Sequence, residues 1–152
     1  MPNVKPIPDG YRTVTPHLYV KGGAEALEFY QKAFGAKELS RFPMPDGRLG
    51  HAEIQIGDSR IMLADEFPEM NARGPKSLGG TSVSIALYVE DVDSFVQRAV
   101  AAGAKVTQPV KNQFYGDRTG GLEDPFGHAW HVATHIEDIS LEEMQRRASQ
   151  QH

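Results

Sequence analysis

Two residues that could transfer protons stand two positions apart in the sequence, His51 and Glu53. Alternate residues of a β-strand share a face, so an imidazole and a carboxylate at this spacing would be neighbours. Such a pair can act as a general acid and a general base. The chain has no Cys, which excludes disulfides, thiolate metal ligands and cysteine nucleophiles.

Three further histidines, His128, His131 and His135, lie close together near the C-terminus. The aromatic and β-branched residues among them favour a strand over a helix. On a strand His128 and His131 point to opposite faces, so one metal ion cannot bind both. His131 and His135 stand about 13 Å apart, which is too far for one ion to bind both of them. We expect His135 to form a surface or dimer-contact cluster with Glu137 and Asp138.

An internal repeat organises the chain. Leu18-Tyr19-Val20 recurs about 69 residues later as Leu87-Tyr88-Val89, and Gly35-Ala36-Lys37 recurs as Gly103-Ala104-Lys105. A repeat of this length is typical of a supersecondary unit. We therefore predict two modules of one design, each with the order βαβββ.

Periodicity and turn residues set the predicted elements of each module. The predicted strands lie at 13–20, 37–42, 51–56 and 60–65 and then at 82–89, 106–110, 113–122 and 128–135, with helices at 24–34 and 92–102. Ser140 and Glu143 form a capping box that predicts a last helix to about residue 148. One domain is predicted at 11–145, with module 1 at 11–66, a linker or lid at 67–80, module 2 at 81–138, an N-terminal arm at 1–10 and a C-terminal helix and tail at 139–152.

The strand alternation predicts one face under the helices and one free face. Val14, Leu18 and Ile54 fall on the helix side, as do Val83 and Trp130. The free face is polar without being charged throughout. We therefore predict an α+β fold in which two βαβββ modules form a curved mixed sheet around a cavity.

These modules resemble the vicinal oxygen chelate superfamily, which includes glyoxalase I, extradiol dioxygenases, fosfomycin-resistance enzymes and bleomycin-binding proteins, and most of all its PhnB-like branch. The resemblance implies the glyoxalase/bleomycin-resistance fold and a homodimer. The segments that carry it are Thr15-Pro16-His17-Leu18, Ala26-Leu27-Glu28-Phe29-Tyr30, His51-Ala52-Glu53-Ile54, Phe114-Tyr115-Gly116-Asp117-Arg118, Asp124-Pro125-Phe126-Gly127-His128-Ala129-Trp130 and Thr134-His135-Ile136-Glu137-Asp138.

Metal-using members of this superfamily place ligands on the first and last strand of each module. The resemblance puts those positions at Thr15, Met62, Ser84 and His131. One imidazole with two hydroxyls and a thioether is a poor set for a divalent transition metal, so we expect no metal and no other cofactor. The alternative is one divalent metal ion held by His17, Glu53 and His131, although His17 stands about 6.6 Å along the strand from Thr15.

Composition narrows the partners further. The net charge is −4 and no Lys/Arg cluster stands out, which argues against nucleic acid. No stretch approaches about 18 apolar residues, and the N-terminus lacks the apolar run of a signal peptide, so we expect a cytoplasmic protein without a membrane span.

Three functions stay open: a metal-free small-molecule binding protein of the bleomycin-resistance type, an enzyme, or a structural dimer with a vestigial cavity. The enzyme would use the metal set above, or His51 and Glu53 without a metal. Asp117-Arg118 is interpreted as an ion pair near the cavity mouth, with an anion-binding role for Arg118 as the alternative. The predicted cavity residues are Thr15, His17, Tyr19, His51, Glu53, Gln55, Met62, Ser84, Phe114, Arg118 and His131.

Overall fold

A computed structural model describes residues 3–151. The chain divides into two compact units, one ending at Gly80 and the next beginning at Thr81. Unit 1 contains β1 (His17–Val20), α1 (Gly23–Phe34), β2 (Lys37–Pro43), β3 (Leu49–Ile56), β4 (Ser59–Asp65), a 3-10 turn (Pro68–Met70) and α2 (Pro75–Leu78). Unit 2 contains β5 (Ser84–Tyr88), α3 (Val92–Ala102), β6 (Lys105–Asn112), β7 (Asp117–Glu123), β8 (Ala129–His135) and α4 (Leu141–Ser149).

Each unit has one four-stranded mixed sheet of the same design. The strand order is β1-β4-β3-β2 in unit 1 and β5-β8-β7-β6 in unit 2. The first and last strands of each unit pair in parallel, and the remaining pairs are antiparallel. The predicted α+β class, the two βαβββ modules and the C-terminal helix are confirmed.

Helix α1 is anchored at both ends. The Asp65 carboxylate accepts hydrogen bonds from the backbone N–H groups of Gly22, Gly23 and Leu49, at 3.0, 2.8 and 2.7 Å. This carboxylate therefore fixes the helix start, where N–H groups lack partners within the helix, to the sheet. The helix ends at Gly35, whose φ of 67° is the left-handed conformation that glycine adopts readily.

The predicted helix-side face of the first sheet is buried against α1. Leu18, Val20, Ala52 and Ile54 are buried, and so is the apolar stripe of the helix. His17, Tyr19, His51, Glu53 and Gln55 alternate with these residues and are only half-buried or exposed. The alternation therefore places every one of these five side chains on the face that α1 does not cover.

The core of the second unit centres on the only tryptophan. Trp130 is 1% exposed, as predicted, and its indole N–H donates to the Asp124 carboxylate at 2.8 Å. The same carboxylate accepts from the backbone N–H groups of Phe126 and His128 at 2.9 and 3.0 Å. Asp124 therefore ties the turn between β7 and β8 to the core.

Two predicted strands begin later than expected. Strand β1 starts at His17, and Val14 is 81% exposed instead of buried; strand β5 starts at Ser84, and Val83 is 64% exposed. Pro16 has no N–H to donate to a ladder, although its carbonyl accepts from the N–H of Met62 at 2.9 Å. Thr15 therefore lies before the strand.

Segment 67–80 contains secondary structure that the sequence analysis did not predict. The buried Glu66 carboxylate accepts from the Gly74 N–H at 2.7 Å and from the Ser77 hydroxyl at 2.8 Å. Arg48 donates to the Glu66 carbonyl and pairs with Glu69 at 2.9 Å. The segment is therefore fastened to unit 1.

Helix α4 begins as the capping box predicts. The Ser140 hydroxyl accepts from the Glu143 N–H at 3.1 Å. Glu143 itself pairs with Arg146 and Arg147, and these arginines lower the pKa of its carboxyl to about 2. None of the helices within residues 3–151 has the length and apolar character needed to cross a bilayer.

Candidate functional site

The candidate site lies on the face of the first sheet that α1 does not cover, which we name the histidine face. Three cross-strand rows make it up. The first row contains the pairs Tyr19–Ala64 and His51–Phe42. The second row contains His17, Met62, Glu53 and Ser40. The third row contains Arg60, Gln55 and Lys37.

Four rings form a chain of contacts across this face. The His17 ring lies 5.0 Å from Tyr19 and 5.9 Å from His51 between centroids, and His51 lies 6.4 Å from Phe42. The planes are tilted by 50°, 44° and 36°. Tyr19 is 37% exposed and Phe42 is 59% exposed, so the two end rings of this series offer aromatic surface to a ligand.

A carboxylate lies within reach of the central imidazole. His51 Nε2 is 3.3 Å from Glu53 Oε2, and the Ser40 hydroxyl donates to the same oxygen at 3.4 Å. The Glu53 side chain is 23% exposed. A partly desolvated His–Glu pair can hold a proton between its members or accept one from a bound molecule.

The neighbouring imidazole has a pKa below its ordinary value. Burial lowers the pKa of His17, and the nearby His51 lowers it further. A neutral imidazole offers one N–H donor and one nitrogen acceptor. At neutral pH the histidine face therefore presents both kinds of hydrogen-bonding group beside its aromatic rings.

The matching row of unit 2 has different chemistry. Ala86, His131, Gly121 and Gln108 occupy the positions of His17, Met62, Glu53 and Ser40 in the ladders. A Cβ at Gly121 would lie 2.7 Å from Thr107 Oγ1, so no carboxylate side chain fits there without a shift. The row that combines an imidazole with a carboxylate is therefore the one in unit 1, since the row of unit 2 has His131 but no carboxylate.

The four metal positions implied by the superfamily are divided between the two units. Thr15 precedes β1 and Met62 pairs with His17 in unit 1, whereas Ser84 pairs with Ala129 and His131 pairs with Ala86 in unit 2. Among the described residues, no three His, Cys, Asp or Glu side chains lie close enough to hold a metal ion. The donors at the four implied positions are two hydroxyls, a thioether and one imidazole. This set does not fit a divalent transition metal, which prefers three or four imidazole, carboxylate or thiolate ligands.

The interpretation of Asp117 and Arg118 as an ion pair is wrong. As neighbours on β7 they point to opposite faces. Arg118 donates to Asp93 of α3 at 2.8 and 3.0 Å, so it lies on the helix side of its sheet. Asp117 accepts from the Tyr88 hydroxyl at 2.6 Å on the other side. The prediction that Arg118 lines a cavity on the free face is therefore wrong.

The predicted histidine cluster at the C-terminus has partly different members. His135 Nδ1 is 2.8 Å from Asp117, and its Nε2 is 2.7 Å from Asp138. The hydrogen bonds to Asp117 and then to Asp138 raise the pKa of His135. Glu137, expected in this cluster, pairs with Arg147 at 2.8 Å instead.

The structure brings six of the predicted cavity residues together on one face. His17, Tyr19, His51, Glu53, Gln55 and Met62 share the histidine face. Ser84 and His131 lie on the corresponding face of the second sheet, whereas Phe114 lies in the turn before β7 because that strand begins at Asp117. A cavity common to both groups stays a prediction.

Sequence reasoning missed Phe42, Ser40 and Tyr11. Phe42 and Ser40 belong to β2, whose ladder shifts register between Glu38 and Ser40. Such an irregularity changes which residues face the partner strand. Tyr11 precedes the first strand, and its ring lies 4.8 Å from the guanidinium of Arg60.

Comparison with known proteins supports the fold. The model of the Glyoxalase/Bleomycin resistance protein/Dioxygenase superfamily matches residues 12–132. The uncharacterized protein Mb0911c of Mycobacterium bovis is 45% identical over 141 residues, which cover 91% of this chain and 93% of that protein. This match spans almost the whole of both chains.

Two solved structures share the fold at low sequence identity. The PhnB protein from Bacillus cereus has a TM-score of 0.63 and 18% identity, with 81% of this chain and 99% of that chain covered. The fosfomycin resistance protein FosX from Listeria monocytogenes, crystallised with Mn(II) and sulfate, has a TM-score of 0.62 and 21% identity, with 90% and 97% covered. At these identities the likeness concerns the fold alone.

Proposed function

Because the chain belongs to the Glyoxalase/Bleomycin resistance protein/Dioxygenase superfamily, we propose that it binds a small organic molecule on the histidine face without a metal ion. The ring chain of Tyr19, His17, His51 and Phe42 carries this proposal. Binding sites for small molecules combine apolar and aromatic walls with a few fixed polar groups. Here the polar groups are His51 and Glu53, in contact at 3.3 Å.

The donor chemistry supports the metal-free part of the proposal. Met62, a thioether, stands in the ladder between His17 and Glu53. Elemental mass spectrometry on untagged protein tests this point. We expect no stoichiometric Zn, Fe, Ni or Mn; one ion per chain that disappears in His131→Ala would contradict it.

Binding itself is tested with a fragment library. Ligand-observed NMR on the wild-type chain should detect aromatic fragments, and Phe42→Ala and His51→Ala should each weaken their binding about 10-fold. Met70→Ala is the matched control, since Met70 is exposed in unit 1 but lies in the 3-10 turn, outside the strands that form this face. Equal binding by all variants would overturn the proposal.

A second candidate is a metal-free enzyme in which His51 and Glu53 transfer a proton. The 3.3 Å contact between the two favours it. Glu53→Gln distinguishes the candidates, because an amide keeps the shape of the side chain but cannot act as a base. An enzyme would lose turnover of a bound substrate in this variant, whereas a binding protein would show no turnover in either form.

We further propose that the chain forms a homodimer, as the family resemblance implies. Sedimentation equilibrium should give twice the chain mass of 16.8 kDa. The mass of a single chain at every protein concentration in the micromolar range would contradict this expectation.

A further inference from the structure

The third row of the histidine face ends in an arginine without a counter-charge. Among the described residues, Arg60 has no ion-pair or hydrogen-bond partner, and its Nε is buried and unsatisfied. Burying a guanidinium donor without an acceptor costs free energy. The Nη groups of Arg60 are not buried and also lack an acceptor within residues 3–151, and a ligand could supply one there.

The N-terminal arm forms the wall around this arginine. Gly10 has a φ of 85°, which glycine adopts readily, and a Cβ there would overlap the Arg60 guanidinium in its present position. The Tyr11 ring faces the guanidinium at 4.8 Å, and the Tyr11 hydroxyl is also buried without a partner. The aromatic ring stabilises part of the positive charge, but it does not replace an oxygen acceptor for the guanidinium N–H groups.

No carboxylate on this face neutralises the site. Glu53 contacts His51 and Ser40 instead. Gln55, the ladder partner of Arg60, donates its amide to the Gly57 carbonyl, and the next residue in the row is the cation Lys37. The charge at this end of the histidine face is therefore positive.

We propose that Arg60, positioned by the Tyr11 ring, binds the carboxylate or phosphate group of a small organic acid. A planar oxyanion matches the fork of guanidinium donors. That this acid is the ligand of the histidine face rests on the proposed function. Arg60 precedes Met62 by two residues on β4, or about 6.6 Å, so the acidic group would bind at Arg60 while the rest of the molecule covers the rings.

Phenyl phosphate, inorganic phosphate and benzyl alcohol are suitable probes. NMR spectra of the arginine Nε–H and histidine C2–H groups report on the two parts of the site separately. Phenyl phosphate should shift the Arg60 and histidine signals together, inorganic phosphate the Arg60 signal alone, and benzyl alcohol the histidine signals alone. Arg60→Met should weaken phenyl phosphate binding about 10-fold.

Arg12→Met is the matched control, since Arg12 is an exposed arginine next to Tyr11 in the segment before β1. Equal weakening by Arg12→Met and Arg60→Met would overturn the inference, because it would show attraction by net charge only. Arg60→Lys keeps the charge and removes the fork, so the test does not depend on the folding of Arg60→Met.

The probes separate failure of this inference from failure of the proposed function. Histidine shifts with benzyl alcohol, but no Arg60 shift with either anion, would overturn the anion site and leave the proposed function standing. Arg60 shifts without any histidine shift would overturn the single organic acid and the proposed function together.

Discussion

The His17 and His51 rings lie 5.9 Å apart between centroids, although their strands are not neighbours. Strand β4 separates β1 from β3, so the backbones are two strand spacings, about 9.6 Å, apart. The side chains therefore lean toward each other over β4. A charge on one imidazole disfavours a charge on the other.

His51→Gln should raise the pKa of His17. Burial is the larger cause of its low value and would persist, so the pKa should move only part of the way back to the ordinary range. An NMR titration of the His17 C2–H signal measures it. His128→Gln is the control; an unchanged His17 pKa in His51→Gln would show that the two rings do not interact electrostatically.

His135 should make stability depend on pH around neutrality. Hydrogen bonds to Asp117 and then Asp138 raise its folded-state pKa above the ordinary 6.5. The resulting stabilisation is complete below about pH 6.5 and is lost as the pH rises through the raised folded-state value. Denaturant unfolding at pH 5.5, 7.0 and 8.5 should show this decline in the wild type and a smaller one in His135→Gln. Parallel profiles for the two proteins would contradict it.

Asp124→Ala should destabilise the chain by about 3 kcal/mol or more, because it leaves three donors without their acceptor. These are the N–H groups of Phe126 and His128 and the indole of Trp130. Asp46→Ala is the comparison: Asp46 also accepts from a backbone N–H in a turn, but it is exposed, and the cost should stay within about 1 kcal/mol. Equal losses in guanidinium denaturation would refute the assigned role of Asp124.

Glu66→Ala should release segment 67–80. The variant removes the acceptor for the Gly74 N–H and the Ser77 hydroxyl, so the Gly74 amide should exchange with solvent at least about 10-fold faster. Trypsin should also cleave sooner after Arg73 and Lys76. Glu69→Ala, which removes an exposed partner of Arg48, serves as the reference. Unchanged exchange at Gly74 in Glu66→Ala would show that other contacts hold the segment.

The faces of the histidine-bearing strands could be predicted because alternation alone decides them. His17 and Tyr19 alternate with buried Leu18 and Val20, and the same alternation puts Asp117 and Arg118 on opposite faces, which excludes an ion pair between them. Alternation holds only inside a regular strand, so it misplaced Val14, which precedes β1.

The irregular parts of the site could not be predicted from periodicity. The register shift in β2 decides that Phe42 pairs with His51, and no composition signal marks that shift. The contact between Tyr11 and Arg60 joins an arm without secondary structure to a strand about 50 residues later. Contacts of this kind depend on tertiary packing, which the spacing of apolar residues at periods of two or 3.6 does not encode.

The position of Trp130 affects how unfolding of this chain can be observed. It is the only tryptophan, and it lies in the core of unit 2. Indole emission therefore reports on unit 2, and it reports on unit 1 only where the two units unfold together. A fluorescence melt will miss ligand-induced stabilisation confined to unit 1, which calorimetry or tyrosine signals would record.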